Sequence, residues 1–159
     1  MNNNEINELQ EKTLKTIRDL NQAGFAIMDS YYTKVELHRK NLDDKSKIGN
    51  TGIVTRKGVD SDEVYFYWCK FSKNRSLKYS REGGSTTFQT LYKKGGVTKF
   101  EYSMKAFKNE PLDWEMELIK EFEPQLAKIR EALKSSRDAL RLEKKAFGLA
   151  KKVLCKTEE

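Results

Sequence analysis

Few side chains in this sequence could act as nucleophiles or metal ligands. Among 159 residues there is one histidine, His38, and there are two cysteines, Cys69 and Cys155. A Ser-His-Asp or Cys-His site would have to use His38, and a metal site built on two or three imidazoles is impossible. His38 lies in an amphipathic segment, where a solvated or helix-packing histidine is commoner than a general base. We therefore expect no catalytic residue, no bound metal and no cofactor.

The cysteines, the glycines and the N-terminus exclude further classes of protein. Cys69 and Cys155 stand far apart, so they predict neither a disulfide framework nor a zinc knuckle. The pairs Gly83-Gly84 and Gly95-Gly96 lack the strand and helix context of a phosphate loop and read as turns. No apolar run is long enough to span a membrane, and MNNNEINELQ has no signal-peptide pattern. We expect a cytoplasmic protein without membrane contact.

Cations interleaved with aromatic rings in the middle of the chain do suggest a function. Residues 45–108 carry 14 basic and 5 acidic residues, a net charge of +9, whereas the whole chain carries +7. Cations neutralise phosphates and aromatic faces stack on bases, so the pattern favours a nucleic-acid-binding surface. The alternative is an ordinary sheet, which exposes polar residues on one face and carries lysines that protect its edges from aggregation. The candidate nucleic-acid-binding residues are Arg56, Lys57, Lys70, Lys73, Arg75, Lys78, Arg81, Tyr92, Lys93, Lys94 and Lys99.

The run Val64–Phe71 is apolar on both faces of a strand and has two interpretations. In the first, it is a central strand whose Phe66 and Trp68 meet the helices, while Tyr65, Tyr67 and Phe71 lie under the polar loop that follows. In the second, its Tyr65 and Tyr67 form a contact surface for DNA or for a second subunit. The residues alone do not decide between the two.

A second basic set lies towards the C-terminus. On a helix, such a set is most often a solvated face, although it could also follow phosphates or enter a major groove. We rank it below the sheet as a DNA contact. Its members are Lys134, Arg137, Arg141, Lys144, Lys145, Lys151, Lys152 and Lys156.

Two long amphipathic helices flank the basic region. In residues 5–43 and 111–155 the apolar side chains recur at steps of three and four, which is the period of a helix that buries one side. Pro124 falls inside the second pattern and is expected to kink or restart the helix. The apolar seam from Ile119 to Leu154 follows a heptad, and it either packs within the chain or joins a homodimer.

Between the helices, residues 50–103 predict an antiparallel sheet. Four segments, at 52–58, 63–71, 86–94 and 97–104, are rich in β-branched and aromatic residues and are bounded by turn formers. Gly95-Gly96 is predicted to be a hairpin turn that sets Leu91 opposite Phe100. The fold class predicted for residues 1–159 is a single α+β domain, with the two helices paired on one face of the sheet.

Three segments in the second half of the chain carry a resemblance to a known family. They are KKGG at 93–96, FEYSMKAF at 100–107 and DWEMELI at 113–119, followed by a helix with Glu121, Glu123 and LAKIR. Together with the aromatic strand that contains Trp68, this pattern resembles the MobI family of conjugative-transfer proteins over about residues 50–140. The motifs are aromatic and acidic anchors without a catalytic signature.

The resemblance implies a small accessory protein of an integrative conjugative element or related plasmid. Its partners would be transfer-origin DNA, expected as a duplex, and a relaxase or other transfer proteins. An auxiliary role, rather than nicking, agrees with the single histidine, because common relaxases need a histidine cluster for their metal. The alternative is a protein–protein adaptor that uses the paired helices and binds no DNA directly. An enzyme is the least favoured class.

Overall fold

Two long helices flank a small sheet, and this confirms the predicted α+β class. The computed structural model describes residues 3–43, 49–58, 63–71, 89–92, 99–107 and 111–156. The elements, in chain order, are α1 (Asn3–Lys40), β1 (Thr51–Lys57), β2 (Val64–Phe71), β3 (Gln89–Leu91), a short 3-10 helix (Met104–Phe107) and α2 (Asp113–Lys156).

The three strands form an antiparallel sheet in the order β1-β2-β3. Side chains alternate along β2, so that Phe66 and Trp68 share one face and are almost fully buried. Phe66 packs on Phe25 with ring centroids 5.5 Å apart, and Trp68 packs edge-on against Tyr31 at 5.2 Å. The inner face of the sheet therefore builds the core against α1, as the first interpretation of β2 predicted.

The two helices pair antiparallel. Lys34 of α1 forms an ion pair with Glu121 of α2, and the Thr13 hydroxyl donates to Glu143 at 2.9 Å, so that rising numbers on α1 meet falling numbers on α2. The first part of the predicted heptad seam is buried inside the chain, with Leu126 0% and Leu133 1% exposed. These side chains are covered without a second subunit.

The predicted fourth strand, at 97–104, is wrong for the residues that the structure describes. Residues 99–103 form a turn and irregular chain, and the 3-10 helix follows. The backbone N–H of Tyr102 donates to Glu123 at 2.7 Å, and the carbonyl of Phe100 accepts from Arg130 at 2.9 Å. Side chains of α2 thus satisfy polar groups that a strand would have paired. The Gly95-Gly96 turn lies outside the described residues.

The helix α2 does not restart at Pro124 but continues through it. Pro124 itself is exposed, whereas Glu123 and Leu126 beside it are buried and bind the helix to the rest of the fold. The Gln125 side chain adds a hydrogen bond of 3.1 Å to the Glu121 carbonyl. In the described part of the chain, no helix has the length and apolar character of a membrane span.

Candidate nucleic-acid interface

Arg56, Tyr65 and Tyr67 form a group on the outer face of the sheet, which we call the outer-face cluster. The strand register sets Arg56 opposite Tyr65 and Val54 opposite Tyr67, on the face away from Trp68. Arg56 is exposed and both tyrosines are partly exposed. The tyrosine ring centroids lie 6.4 Å apart with the planes inclined by 31°, and the Arg56 guanidinium lies 5.9 Å from the centroid of Tyr67.

Helix α2 fixes the ring of Tyr65. The guanidinium of Arg137 lies 4.6 Å from the ring centroid, and the Tyr65 hydroxyl donates to Glu63 Oε2 at 3.3 Å. The other oxygen of Glu63 accepts from Arg141 at 3.2 Å. Tyr65 is thereby held in one orientation before any ligand binds, which lowers the entropic cost of using it in a contact.

The other described candidates are not part of this cluster. By strand alternation, Lys57 and Lys70 belong to the opposite face, at the two ends of the β1–β2 ladder. Lys99 is exposed in the turn that follows β3 along the chain, with its Nζ 5.1 Å from the ring of Phe100. These cations therefore lie on more than one surface of the protein.

Tyr92 is also placed away from the outer-face cluster. Its backbone N–H donates to the Trp68 carbonyl at 3.1 Å, and its ring packs on Phe107 with centroids 4.7 Å apart. Tyr92 therefore extends the packing around Trp68. The remaining candidates, which lie outside the described residues, are Lys73, Arg75, Lys78, Arg81, Lys93 and Lys94.

The free edges of the sheet are held by side chains from the helices. On the β1 edge, the Tyr32 hydroxyl donates to the Ile53 carbonyl at 2.7 Å and accepts the Ile53 N–H at 3.0 Å. Where β2 extends beyond its pairing with β3, Arg130 donates to the Phe66 carbonyl at 3.0 Å and Arg137 to the Val64 carbonyl at 2.7 Å. These bonds occupy backbone groups that would otherwise attract another strand.

Arg137 therefore differs from the rest of the predicted basic set on the last helix. It is 7% exposed and bound to the sheet, whereas Lys144 and Lys145 are exposed. Its pattern of charge and spacing resembles that of its neighbours, so the sequence offered no signal to separate it. The side chains of Lys151, Lys152 and Lys156 lie outside those that the structure describes.

A buried ion pair at the centre of the fold was not predicted. Glu123, 3% exposed, accepts from Trp68 Nε1 at 2.6 Å and from Arg130 at 2.9 Å, besides its bond to the Tyr102 N–H. Burial raises the pKa of the Tyr102 hydroxyl to about 12. The pair joins α2 to β2 and to the 99–107 segment, so it sets the position of the sheet on the helices.

A second buried carboxylate fixes the start of α2. The two oxygens of Glu115 accept the backbone N–H groups of Thr51 at 2.7 Å and Leu112 at 2.8 Å. Glu115 lies in the first turn of α2, where a negative charge also interacts favourably with the helix dipole. Gly49 beside it has a φ of 66°, and a Cβ there would lie 2.5 Å from a Glu115 oxygen, so the approach requires glycine.

The potentially reactive side chains are used in packing. His38 stacks on Trp114 with ring centroids 4.5 Å apart and an angle of 19°. Burial raises the pKa of the Cys69 thiol to about 12, which keeps it protonated and unreactive at neutral pH. Among the described residues, no three His, Cys, Asp or Glu side chains are grouped so that they could hold a metal ion.

Comparison with known proteins places the chain in a family. The family model described as MobI protein matches residues 10–142, which is more than half of the chain. None of the curated proteins and none of the solved structures matches it significantly. The match includes the sheet, the 3-10 helix and most of both helices, and it confirms the resemblance seen in the sequence. The chain belongs to the MobI family of mobilisation accessory proteins.

Proposed function

We propose that this protein is a non-catalytic, DNA-binding accessory protein of conjugative transfer, which acts at the origin of transfer together with a relaxase. Family membership supports the role in mobilisation. The main observation in favour of DNA binding is the outer-face cluster. There an exposed arginine lies next to two partly exposed tyrosines, on the sheet face opposite Phe66 and Trp68. Cationic and aromatic side chains in contact are the groups that bind phosphates and bases.

The charge distribution supports the same function. The positive excess of +9 lies in residues 45–108, the segment that contains the whole sheet. By contrast, exposed cations of the helices are partly balanced by neighbouring acids, as in the ion pairs Lys34–Glu121 and Lys134–Asp138. The Lys134 ammonium holds the pKa of Asp138 below its ordinary value. Phosphates are therefore expected to meet the sheet before the helices.

DNA binding is tested by titrating a labelled transfer-origin duplex with the full-length protein at several salt concentrations. We expect log K to fall linearly with log[salt], because each phosphate contact releases counterions. Replacing Arg56, the cation of the outer-face cluster, by Gln should reduce the slope by about 1, because one phosphate is no longer neutralised. The matched control replaces Lys144 by Gln, which removes the same charge from α2. Loss of binding in the control alone would refute the choice of the sheet.

The absence of catalysis is tested separately. Supercoiled transfer-origin plasmid incubated with the pure protein and Mg²⁺ should stay supercoiled, because the single histidine is stacked on Trp114. Relaxation that survives repurification and is abolished by one point substitution would show that the protein is an enzyme. A pull-down with the relaxase, repeated after nuclease treatment, tests the protein partner without relying on DNA.

An adaptor without direct DNA binding is the second candidate. It is favoured by two leucines at the far end of α2, Leu142 and Leu149, which are 68% and 56% exposed. Exposed leucines seven residues apart lie on one side of a helix and could contact another protein. An adaptor would retain no DNA at physiological salt, and Leu142→Gln together with Leu149→Gln would abolish capture of the relaxase.

A further inference from the structure

The tyrosines of the outer-face cluster are placed differently from the other aromatic residues of β2. Phe66 and Trp68 are at most 1% exposed and fill the core, whereas Tyr65 and Tyr67 stay partly exposed on the opposite face. Their ring centroids are 6.4 Å apart and the ring planes are tilted by 31°. Two neighbouring rings on one face of a sheet form a platform on which flat groups can stack.

Neighbouring side chains hold the platform in place before a ligand binds. Arg137 and Glu63 hold Tyr65, and Arg137 is in turn anchored by its 2.7 Å bond to the Val64 carbonyl. Arg56 already lies over Tyr67, at 5.9 Å. Because Arg56 is exposed, its guanidinium can leave the ring and bind a phosphate when a base takes its place.

The geometry distinguishes between the two forms of DNA. In an intact duplex the bases are paired and stacked on one another, so a ring on a flat sheet meets only phosphates, sugars and base edges. In a single strand the base faces are accessible, and proteins bind it by stacking successive bases on aromatic side chains beside a cationic groove. Two partly exposed tyrosines next to an exposed arginine match the second case.

We propose that the outer-face cluster binds single-stranded DNA, with Tyr65 and Tyr67 stacking on two successive bases and Arg56 binding a phosphate beside them. This proposal rests on the proposed function, that the protein binds DNA. It adds the form of the DNA and the residues that recognise it. Arg56 can then contact a phosphate of either form of DNA, whereas the two tyrosines add a contact that only the single strand offers.

The test compares a fluorescein-labelled oligo-dT single strand with a labelled duplex of equal phosphate number, by fluorescence anisotropy with the full-length protein. We expect Tyr67→Leu to weaken single-strand binding by about 5-fold or more, because stacking contributes about 1–3 kcal/mol per base. Duplex binding should change less than about 2-fold, since the duplex offers no base face. Tyr67→Phe keeps the ring and should bind the single strand as the unchanged protein does.

A second measurement does not depend on a variant. Oligo-dT in which one base is 5-bromodeoxyuridine is irradiated with the unchanged protein, and the cross-linked residue is identified by mass spectrometry. We expect the cross-link at Tyr65 or Tyr67, because stacked rings lie within reach of the reactive base. Circular dichroism of Tyr67→Leu establishes that any loss of binding comes from a folded protein.

Each outcome has one meaning. Binding of the duplex but not of oligo-dT would overturn this inference and leave the proposed function standing. Single-strand binding that Tyr67→Leu leaves unchanged, with the cross-link outside β2, would also overturn it. Failure to bind either form at low salt would remove the proposed function, and this inference with it.

Discussion

The buried pair of Glu123 and Arg130 offers the sharpest test of how this fold is held together. Glu123→Gln keeps the volume of the side chain but replaces one acceptor oxygen by a donor amide. In the structure the carboxylate accepts from Trp68, from the Tyr102 backbone and from Arg130, so one of these donors must lose its partner. Arg130, 7% exposed, would keep a charge with no carboxylate opposite it.

The expected loss follows from burial. Removing one partner of a buried ion pair costs about 3–5 kcal/mol, because the remaining charge stays desolvated. The same exchange at Glu121 affects an ion pair with Lys34 whose side chains are 44% and 48% exposed. Water screens that pair, so Glu121→Gln should cost about 0–1 kcal/mol. The two sites lie on the same turn of α2, which makes Glu121→Gln a matched control.

Urea unfolding followed by far-UV circular dichroism measures the free energy of unfolding of each variant. If Glu123→Gln unfolds the protein outright, the double variant Glu123→Gln with Arg130→Met keeps the test informative. It removes both charges, so we expect it to fold where Glu123→Gln does not, because no unpaired charge is left buried. A loss in Glu123→Gln no larger than that in Glu121→Gln would refute the structural role of the pair.

Three further predictions concern packing and titration. Leu133→Ala should cost about 2–5 kcal/mol at any protein concentration, because Leu133 is 1% exposed within one chain; a loss that grows on dilution would mean that the seam joins two chains. In a Cys155→Ser background, Cys69 should react with iodoacetamide only after unfolding, since burial raises its pKa to about 12; rapid labelling of the folded protein would contradict this. Burial raises the pKa of Tyr102 from 10.0 to about 12, so the folded state keeps a proton that the unfolded state loses. The stabilising contribution of the protonated hydroxyl is complete below about pH 10 and is lost as the pH rises to about 12. Over that range it lowers the free energy of unfolding by up to about 1.4 kcal/mol per pH unit. In Tyr102→Phe, the free energy of unfolding measured in urea should fall less steeply at alkaline pH.

The local sequence pattern was sufficient to predict the two helices and the two longer strands, and to identify the family. The step of three and four residues in apolar positions predicted helices at 5–43 and 111–155, close to the observed α1 and α2. Alternation and β-branched residues located the two longer strands, because side chains on a strand point to opposite faces whatever the partner. The anchors around Trp68, Trp114 and Glu123 were sufficient to identify the MobI family, which the family model confirms.

Local pattern did not predict which of several neighbouring charged side chains is buried and which is exposed. Arg137 and Lys144 belong to the same basic run, but one is bound to the sheet edge and the other is exposed. The 97–104 segment has strand composition, yet the backbone bonds of Phe100 and Tyr102 go to Arg130 and Glu123 of α2.

The sequence by itself determined the helices, the two main strands, the positive charge of the middle segment and the family. Only the tertiary structure decided which charges are buried, which face of β2 stays accessible, and that Arg56 adjoins Tyr65 and Tyr67 while Lys57 and Lys70 do not. The physical reason is distance along the chain. Periodicity arises from neighbours three or four residues apart, whereas the bond from Trp68 to Glu123 joins residues 55 apart. The residues next to Trp68 in the sequence therefore do not indicate that Glu123 is its partner.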